Sequence, residues 1–172
     1  MTAGPGRPEP GGRDRDTAGR ARNARPRDGL GRPLPRSADE AVTRVPDDLN
    51  VTAEEAVRLA DRMLSRGQPF HAHEVLEAVW KSGPADERDL WQGLAQIAVG
   101  ITHARRGNAS GAVTLLRRGT DRVAGYSGPA YGMALGQVLA AASGLAERIS
   151  RDGLASITET ELAVRLVGQS QP

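Results

Sequence analysis

From Ala53 onward, apolar residues recur every three or four positions, which is the spacing of amphipathic helices. Nowhere does the chain alternate apolar and polar residues at period two, so the pattern predicts no strand. Glycine and proline divide the pattern into six predicted helices, at about 53–66, 69–82, 87–106, 110–124, 130–151 and 159–168. The chain is therefore predicted to be all-α, a compact bundle of about five to six helices.

Three of the predicted helices begin at recognisable signals. Thr52 and Glu55 have the spacing of a capping box, and so do Thr158 and Glu161, so each pair can satisfy free backbone N–H groups at a helix start. Pro69 stands where a proline in the first helical turn is tolerated. These signals fix the starts of the first, second and sixth helices.

A forty-residue repeat relates the first two predicted helices to the next two. Residues 66–68, Arg-Gly-Gln, recur as Arg-Gly-Asn at 106–108, and each glycine can end a helix tightly. The apolar positions that follow recur at the same offset: Ala72, Val75 and Leu76, then Ala112, Leu115 and Leu116. We expect two related αα-hairpins stacked in the manner of tetratricopeptide repeats. The alternative is a chance likeness between two ordinary helical hairpins.

Residues 1–46 differ from the rest in composition. They are rich in Gly, Pro, Arg and Asp, contain no aromatic residue, and show no apolar period, so they cannot bury enough surface to offset the entropy of ordering. The sequence thus predicts a disordered leader at 1–46, a helical domain at 47–151, and a short helix with a polar tail at 152–172. The leader holds ten arginines against six acidic residues, so a basic arm for an acidic partner or nucleic acid is the alternative.

Composition excludes several classes of protein. The net charge is +2, but residues 47–172 hold 13 basic and 15 acidic residues, which argues against a nucleic-acid surface on the domain. The chain has no cysteine, so it has no disulfide or thiolate metal site, which fits a cytoplasmic protein. It has no run of about 18 apolar residues and no secretory signal, so we expect no membrane association.

The second predicted helix concentrates the candidate chemistry, because it carries two of the three histidines. On a helical wheel, His73 and Glu77 lie beside the apolar arc and are expected to be at least half buried. They are flanked by the aromatic residues Trp80 and Phe70. Two other polar residues lie further round the helix: Glu74 at the margin and His71 toward water.

The third predicted helix is apolar around almost its whole circumference, which is typical of a central, buried helix. Its one polar stripe consists of Gln92, Gln96 and His103. Because an unsatisfied buried polar group costs about 1–3 kcal/mol, we expect His73 and Glu77 to meet His103 or Gln96 inside the bundle.

Small and aromatic residues on the same helix carry packing expectations. Gly93 and Gly100 are seven residues apart on one face, and they would allow a neighbouring backbone to approach closely. Trp91 and, on the preceding helix, Trp80 are expected in the core.

The polar centre has four interpretations. It could be a structural network that ties two helices together, or a small-ligand or peptide pocket lined by Phe70, His73, Glu77, Trp80 and Trp91. It could also be a metal site made by His73, Glu77 and His103 with Glu74, although His-Glu-x-x-Glu is not the His-Glu-x-x-His zinc motif. The fourth is acid–base catalysis without metal, for which no nucleophile stands out. The sequence requires no cofactor.

These residues resemble a family. The similarity to the bacterial and archaeal "domain of unknown function 309" family spans about residues 53–125, and Gly119 departs from it because the family usually has a larger residue there. The resemblance implies a small, soluble, all-helical fold with no established activity. The residues that carry it are Phe70, Ala72-His73-Glu74, Glu77, Trp80, Gly93-Leu94, His103, Arg106-Gly107-Asn108, Gly111-Ala112 and Leu115-Leu116.

Two functions remain open at this point. The first is a binding or scaffold module that presents Phe70 and Trp80 near a polar centre to a protein partner, or that forms a homodimer. The second is a metal-dependent, hydrolase-like enzyme with His73, Glu77 and His103 as ligands and Glu74 as the base that activates a bound water. The sequence does not decide whether the protein is an enzyme.

Overall fold

The computed structural model describes residues 26–35, 45–46 and 49–168. Its helices are α1 (Ala53–Ser65), α2 (Pro69–Ser82), α3 (Arg88–Arg105), α4 (Ala109–Ala124), α5 (Leu135–Asp152) and α6 (Glu159–Leu162). Single 3₁₀ turns lie at Ala85–Glu87 and Leu154–Ser156, and these described residues form isolated bridges but no strand. The all-α prediction is confirmed. None of the described helices combines the length and apolarity that crossing a bilayer requires.

The predicted start of the fifth helix is wrong by several residues. The chain was expected to be helical from residue 130, but α5 begins at Leu135. Tyr131 and Gly132 adopt φ values of 51° and 79°, which lie in the left-handed region and cannot continue a right-handed helix. The residues before α5 therefore form a turn.

The sixth helix is shorter than predicted, because α6 ends at Leu162. The residues that follow bury Val164 and Leu166, and the backbone carbonyl of Leu166 accepts a hydrogen bond from the N–H of Ala134 at 2.9 Å. The segment after α6 therefore packs beside the start of α5. These contacts between distant parts of the chain replace a continuation of α6.

The predicted helix caps are present. The Thr52 and Glu55 side chains each accept from the other's backbone N–H, and Thr158 and Glu161 form the same capping box. Pro69 is the first residue of α2.

The forty-residue repeat also appears in the structure, as equivalent backbone hydrogen bonds in two turns. The backbone N–H of Gln68 donates to the carbonyl oxygen of Met63, and the backbone N–H of Asn108 donates to the carbonyl oxygen of His103. Both distances are 2.9 Å. Gly67 and Gly107 supply the left-handed residue, with φ of 70° and 81°. The turns α1–α2 and α3–α4 are therefore alike, while the likeness to tetratricopeptide repeats stays a prediction.

Helix α3 is central, as its apolar circumference predicted. It packs against α2 on one side and against α4 on the other, and α5 packs against α4. Its largest apolar side chains are almost fully buried: Leu90, Trp91, Leu94, Ile97 and Ile101.

Glycines bring α3 and α4 into backbone contact. A Cβ atom added to Gly119 would lie 2.6 Å from the carbonyl oxygen of Gly93, and one added to Gly93 would lie 2.8 Å from that of Gly119. A Cβ atom on Gly100 would lie 2.9 Å from Cγ of Leu116. The predicted close approach is confirmed, and it explains the glycine at position 119.

We expect Gly119→Ala to lower the free energy of unfolding by about 1–3 kcal/mol, because overpacking outweighs the gain of about 1 kcal/mol in helix propensity. Gly144→Ala is the matched control, since a Cβ atom there meets nothing within 4 Å in the middle of α5. It should raise stability by about 0.5–1 kcal/mol. Urea denaturation measures the free energy of unfolding of both variants. Equal effects of the two substitutions would contradict the close contact between α3 and α4 at Gly119.

Part of the predicted leader has a defined conformation. Residues 26–35 form a turn against the start of α2, in which the N–H of Phe70 donates to the carbonyl of Gly29 at 3.1 Å. The Arg27 guanidinium lies 5.7 Å from the centre of the Phe70 ring, and Gly31 lies against that ring. This differs from the expectation of disorder throughout 1–46. The rest of that expectation, and that of a polar tail after residue 168, falls largely outside the described residues.

A buried carboxylate fastens the C-terminal segment to α1. Asp61 is only 5% exposed, and it accepts hydrogen bonds from the Arg165 guanidinium at 2.6 Å and the Leu166 N–H at 2.7 Å. Burial acts to raise the pKa of Asp61, but the bonds from Arg165, Leu166 and Val167 outweigh it and hold the pKa below its ordinary value of 3.8.

Because the pKa of Asp61 is lower in the folded protein, its contribution to stability is present above its ordinary pKa and is lost as pH falls through the lowered value. We expect Asp61→Asn to lower the free energy of unfolding by about 1–3 kcal/mol at pH 7, with a difference from wild type that shrinks below about pH 4. Urea titrations from pH 7 to below about pH 4 measure this difference in stability, and Asp121→Asn, at an exposed position, is the control. A difference that grows with acid would contradict the assignment.

Candidate functional site

His73 and Glu77 form a pair on one face of α2, as their spacing predicted. Nε2 of His73 lies 3.4 Å from Oε2 of Glu77, and the two side chains are 23% and 32% exposed. The other carboxylate oxygen of Glu77 lies 2.9 Å from Nζ of Lys81. Both oxygens of Glu77 therefore already face a partner.

This pair lines a cavity of about 150 Å³ that α2 shares with α3 and one residue of α4, and we call it the α2–α3 cleft. The cleft also includes Gln96 of the polar stripe. Oε1 of that residue has no partner among the described residues, so the cleft does not show the expected pairing with His73 or Glu77. Its lining consists of His73, Glu77, Trp80, Gln92, Ala95, Gln96, Val99 and Leu115.

Three polar atoms of the cleft lining are buried without a hydrogen-bond partner among the described residues. They are Nδ1 of His73, Nε1 of Trp80 and Oε1 of Gln96. Each buried polar group left unpaired costs about 1–3 kcal/mol. These unpaired atoms belong to lining residues of both α2 and α3.

Some of the expected lining residues lie elsewhere. Phe70 contacts residues 26–35, and its ring centre is 5.8 Å from that of His73, but it does not line the cleft. Trp91 is fully buried in the core, as expected for a core residue, and it also does not line the cleft. Trp80 is only partly buried, so the expectation of a core position holds in part.

The expected meeting of His73 and Glu77 with His103 is not found. Nδ1 of His103 lies 2.7 Å from the side-chain nitrogen of Asn108, at the start of α4, and His103 does not line the cleft. Within the described residues, no three His, Asp or Glu side chains are grouped so that they could hold a metal ion. The hypothetical ligand set of His73, Glu77 and His103 is therefore not assembled.

His71 was expected to face water, and this prediction is wrong. The residue is 3% exposed, and its Nδ1 lies 3.0 Å from Oε2 of Glu74. The helical wheel assumed a single apolar face, whereas α2 is covered by α1 as well as by α3, and residues 26–35 contact its first turn. The contact with His71 also occupies Glu74, which was the candidate base of the metal hypothesis.

Sequence reasoning missed a second buried polar cluster. Glu87 accepts a hydrogen bond from Nε1 of Trp91 at 2.8 Å and another from the hydroxyl of Tyr131, whose ring stacks on Trp91. The spacing of Glu87, just before α3, and Trp91, four residues later, was a usable signal. Tyr131 lies 44 residues further along the chain, and no local pattern indicated it.

The hydrogen bond to Glu87, with burial, raises the pKa of Tyr131 to about 12. We expect Glu87→Gln to lower that pKa toward its ordinary value of 10.0, because the amide removes the negative charge beside the phenol. Phenolate absorbance in a Tyr126→Phe background measures Tyr131 alone, since the chain has two tyrosines. Circular dichroism checks folding. Ionisation of Tyr131 near pH 10 with Glu87 in place would contradict the cluster.

Comparison with known proteins agrees with the resemblance seen in the sequence. A family model described as Domain of unknown function (DUF309) matches residues 57–115. The uncharacterized protein YpuF of Bacillus subtilis (strain 168) is 44% identical over 48 residues, which are 27% of this chain and 28% of that protein. The chain thus matches little more than a quarter of this relative's length. No solved structure gives a significant match. All eight residues of the cleft lining fall within the range that the family model matches.

Proposed function

We propose, from the premise that residues 57–115 are a DUF309 segment, that this chain is a binding module whose site is the α2–α3 cleft. The observation that carries the proposal is a cavity of about 150 Å³ that is lined by the partly exposed pair His73 and Glu77 on α2 and by Gln96 on α3.

The size of the cleft limits what it can bind. A cavity of about 150 Å³ holds a molecule the size of benzene. The cleft therefore suits a small molecule, or one side chain of a partner protein. His73 and Glu77 are partly exposed at its edge, so a ligand can reach it from solvent.

A purely structural network explains less of the geometry. The ion pair of His73 with Glu77 lies within α2 and does not connect this helix to α3. A network that served only to join α2 and α3 would pair Gln96 with a group on α2, yet Oε1 of Gln96 has no partner in the described part of the chain.

The two tryptophans provide an internal test. In ¹⁵N-labelled protein, the Trp80 indole N–H reports on the cleft, and the Trp91 indole N–H, bonded to Glu87, reports on the core. We expect at least one of propionamide, propionate, propylammonium and propanol to shift the Trp80 resonance saturably and leave Trp91 unchanged. Trp80→Phe assigns the two resonances.

A blocking variant sharpens this experiment. Val99→Phe places a ring in the cleft and should abolish the shift of the Trp80 resonance, whereas Val113→Phe, on α4 and outside the lining, should preserve it. An unchanged Trp91 resonance shows that each variant is folded. If none of the four probes moves Trp80, or if Trp80 and Trp91 move together, the proposed site is wrong.

A further inference from the structure

We infer that residues 26–35, which we call the strap, position the ring of His73 at the α2–α3 cleft by holding the side chain of Phe70. The strap and Phe70 both lie outside the cleft lining, so they act on the cleft through His73. The inference rests on the proposed function. It adds a positioning residue and a segment that precedes the family match at residues 57–115.

The strap is a turn that is closed by its own hydrogen bonds. The carboxylate of Asp28 accepts from the backbone N–H groups of Leu30 at 3.0 Å and Arg32 at 2.8 Å, and the backbone N–H of Asp28 donates to the carbonyl of Arg32 at 3.0 Å. Gly31 adopts the left-handed conformation that the turn requires, with φ of 74°. Because these bonds fix its backbone, the strap presents a defined surface to α2.

Three contacts hold Phe70 against this surface. The backbone N–H of Phe70 donates to the carbonyl of Gly29 at 3.1 Å, and the guanidinium of Arg27 lies 5.7 Å from the centre of the ring. Gly31 packs directly on the ring, since a Cβ atom added to it would lie 2.6 Å from Cε2 of Phe70. The absence of a side chain at Gly31 therefore allows the strap to reach the ring.

Phe70 in turn contacts both histidines of α2. Its ring centre lies 5.9 Å from that of His71 and 5.8 Å from that of His73. His71 is 3% exposed and bonded to Glu74, so its position is already fixed. The side chain of His73 is 23% exposed, so burial alone does not fix its ring. Phe70 thus connects the strap with the imidazole that lines the cleft.

A fixed His73 ring favours binding, because a ligand then meets a side chain that is already ordered. Ordering one such side chain during binding would weaken affinity by about two- to tenfold. The competing interpretation is that the strap only covers Phe70 and the first turn of α2. In that case its loss would lower stability and leave His73 unchanged.

Gly31→Ala in the full-length chain separates the two interpretations. The added Cβ atom displaces the Phe70 ring, so we expect the ring ¹H and ¹³C resonances of His73 to shift in the ligand-free protein, while those of His103, at the start of α4, do not. Gly153→Ala is the matched control. It has a similar φ of 78°, but a Cβ atom there meets nothing within 4 Å, and His73 should not respond.

A double-mutant cycle tests whether Phe70 carries the effect. Phe70→Leu removes the ring, so the shift of His73 that Gly31→Ala causes in the wild-type background should be lost in the Phe70→Leu background. If the same shift persists there, the inference is overturned. Unchanged His73 resonances in Gly31→Ala, with lower stability in urea, would also overturn it and support the covering role.

Titrations of the Trp80 indole resonance with propionamide, propionate, propylammonium and propanol test the effect on the cleft. Gly31→Ala should weaken a probe that binds the wild type by about two- to tenfold, and Gly153→Ala should not. An unchanged Trp91 resonance shows that each variant is folded. Equal affinities of Gly31→Ala and wild type would overturn the inference. If no probe binds the wild type, the proposed function fails, and the His73 resonances alone decide whether the strap positions the ring.

Discussion

The burial of α3 is the constraint on which the structure depends. A helix that is apolar on nearly every side must be covered on every side, and α2 and α4 provide most of that cover. The α4 side is closed by backbone contact, because Gly93 and Gly119 leave no space for a side chain between the helices. On the other side, α2 meets the polar stripe of α3, and the cover is incomplete. The α2–α3 cleft is that gap.

Local signals in the sequence predicted the helices that surround the cleft. Capping residues, Pro69 and the two left-handed glycines depend on neighbours within a few residues, so α1 to α4 could be placed nearly to the residue. The start of α5 and the end of α6 could not be placed from such local signals. The start of α5 follows the left-handed turn at Tyr131 and Gly132, and the residues after α6 make contacts such as that of Asp61 with Arg165, 104 residues apart, which no local period encodes.

The site was predictable to a similar extent. The pairing of His73 with Glu77 follows from helical spacing alone. Gln96 of the polar stripe lines the same cleft, but its expected pairing with them is not shown. The burial of His71 required knowledge that two helices cover α2, and the position of His103 required the geometry of the α3–α4 turn. Which polar atoms stay unpaired is a property of the assembled bundle, and a helical wheel cannot show it.

The polar chemistry of the α2–α3 cleft depends most directly on the protonation of one ring. If Glu77 holds the proton of His73 on Nε2, then Nδ1, which is buried without a partner among the described residues, is an unprotonated acceptor. The ¹⁵N chemical shifts of the His73 ring, measured above the pH at which it is protonated and assigned with His73→Gln, report this tautomer. We predict a protonated Nε2 and an unprotonated Nδ1, and Glu77→Gln should weaken that preference. A proton on Nδ1 in the neutral ring would contradict it.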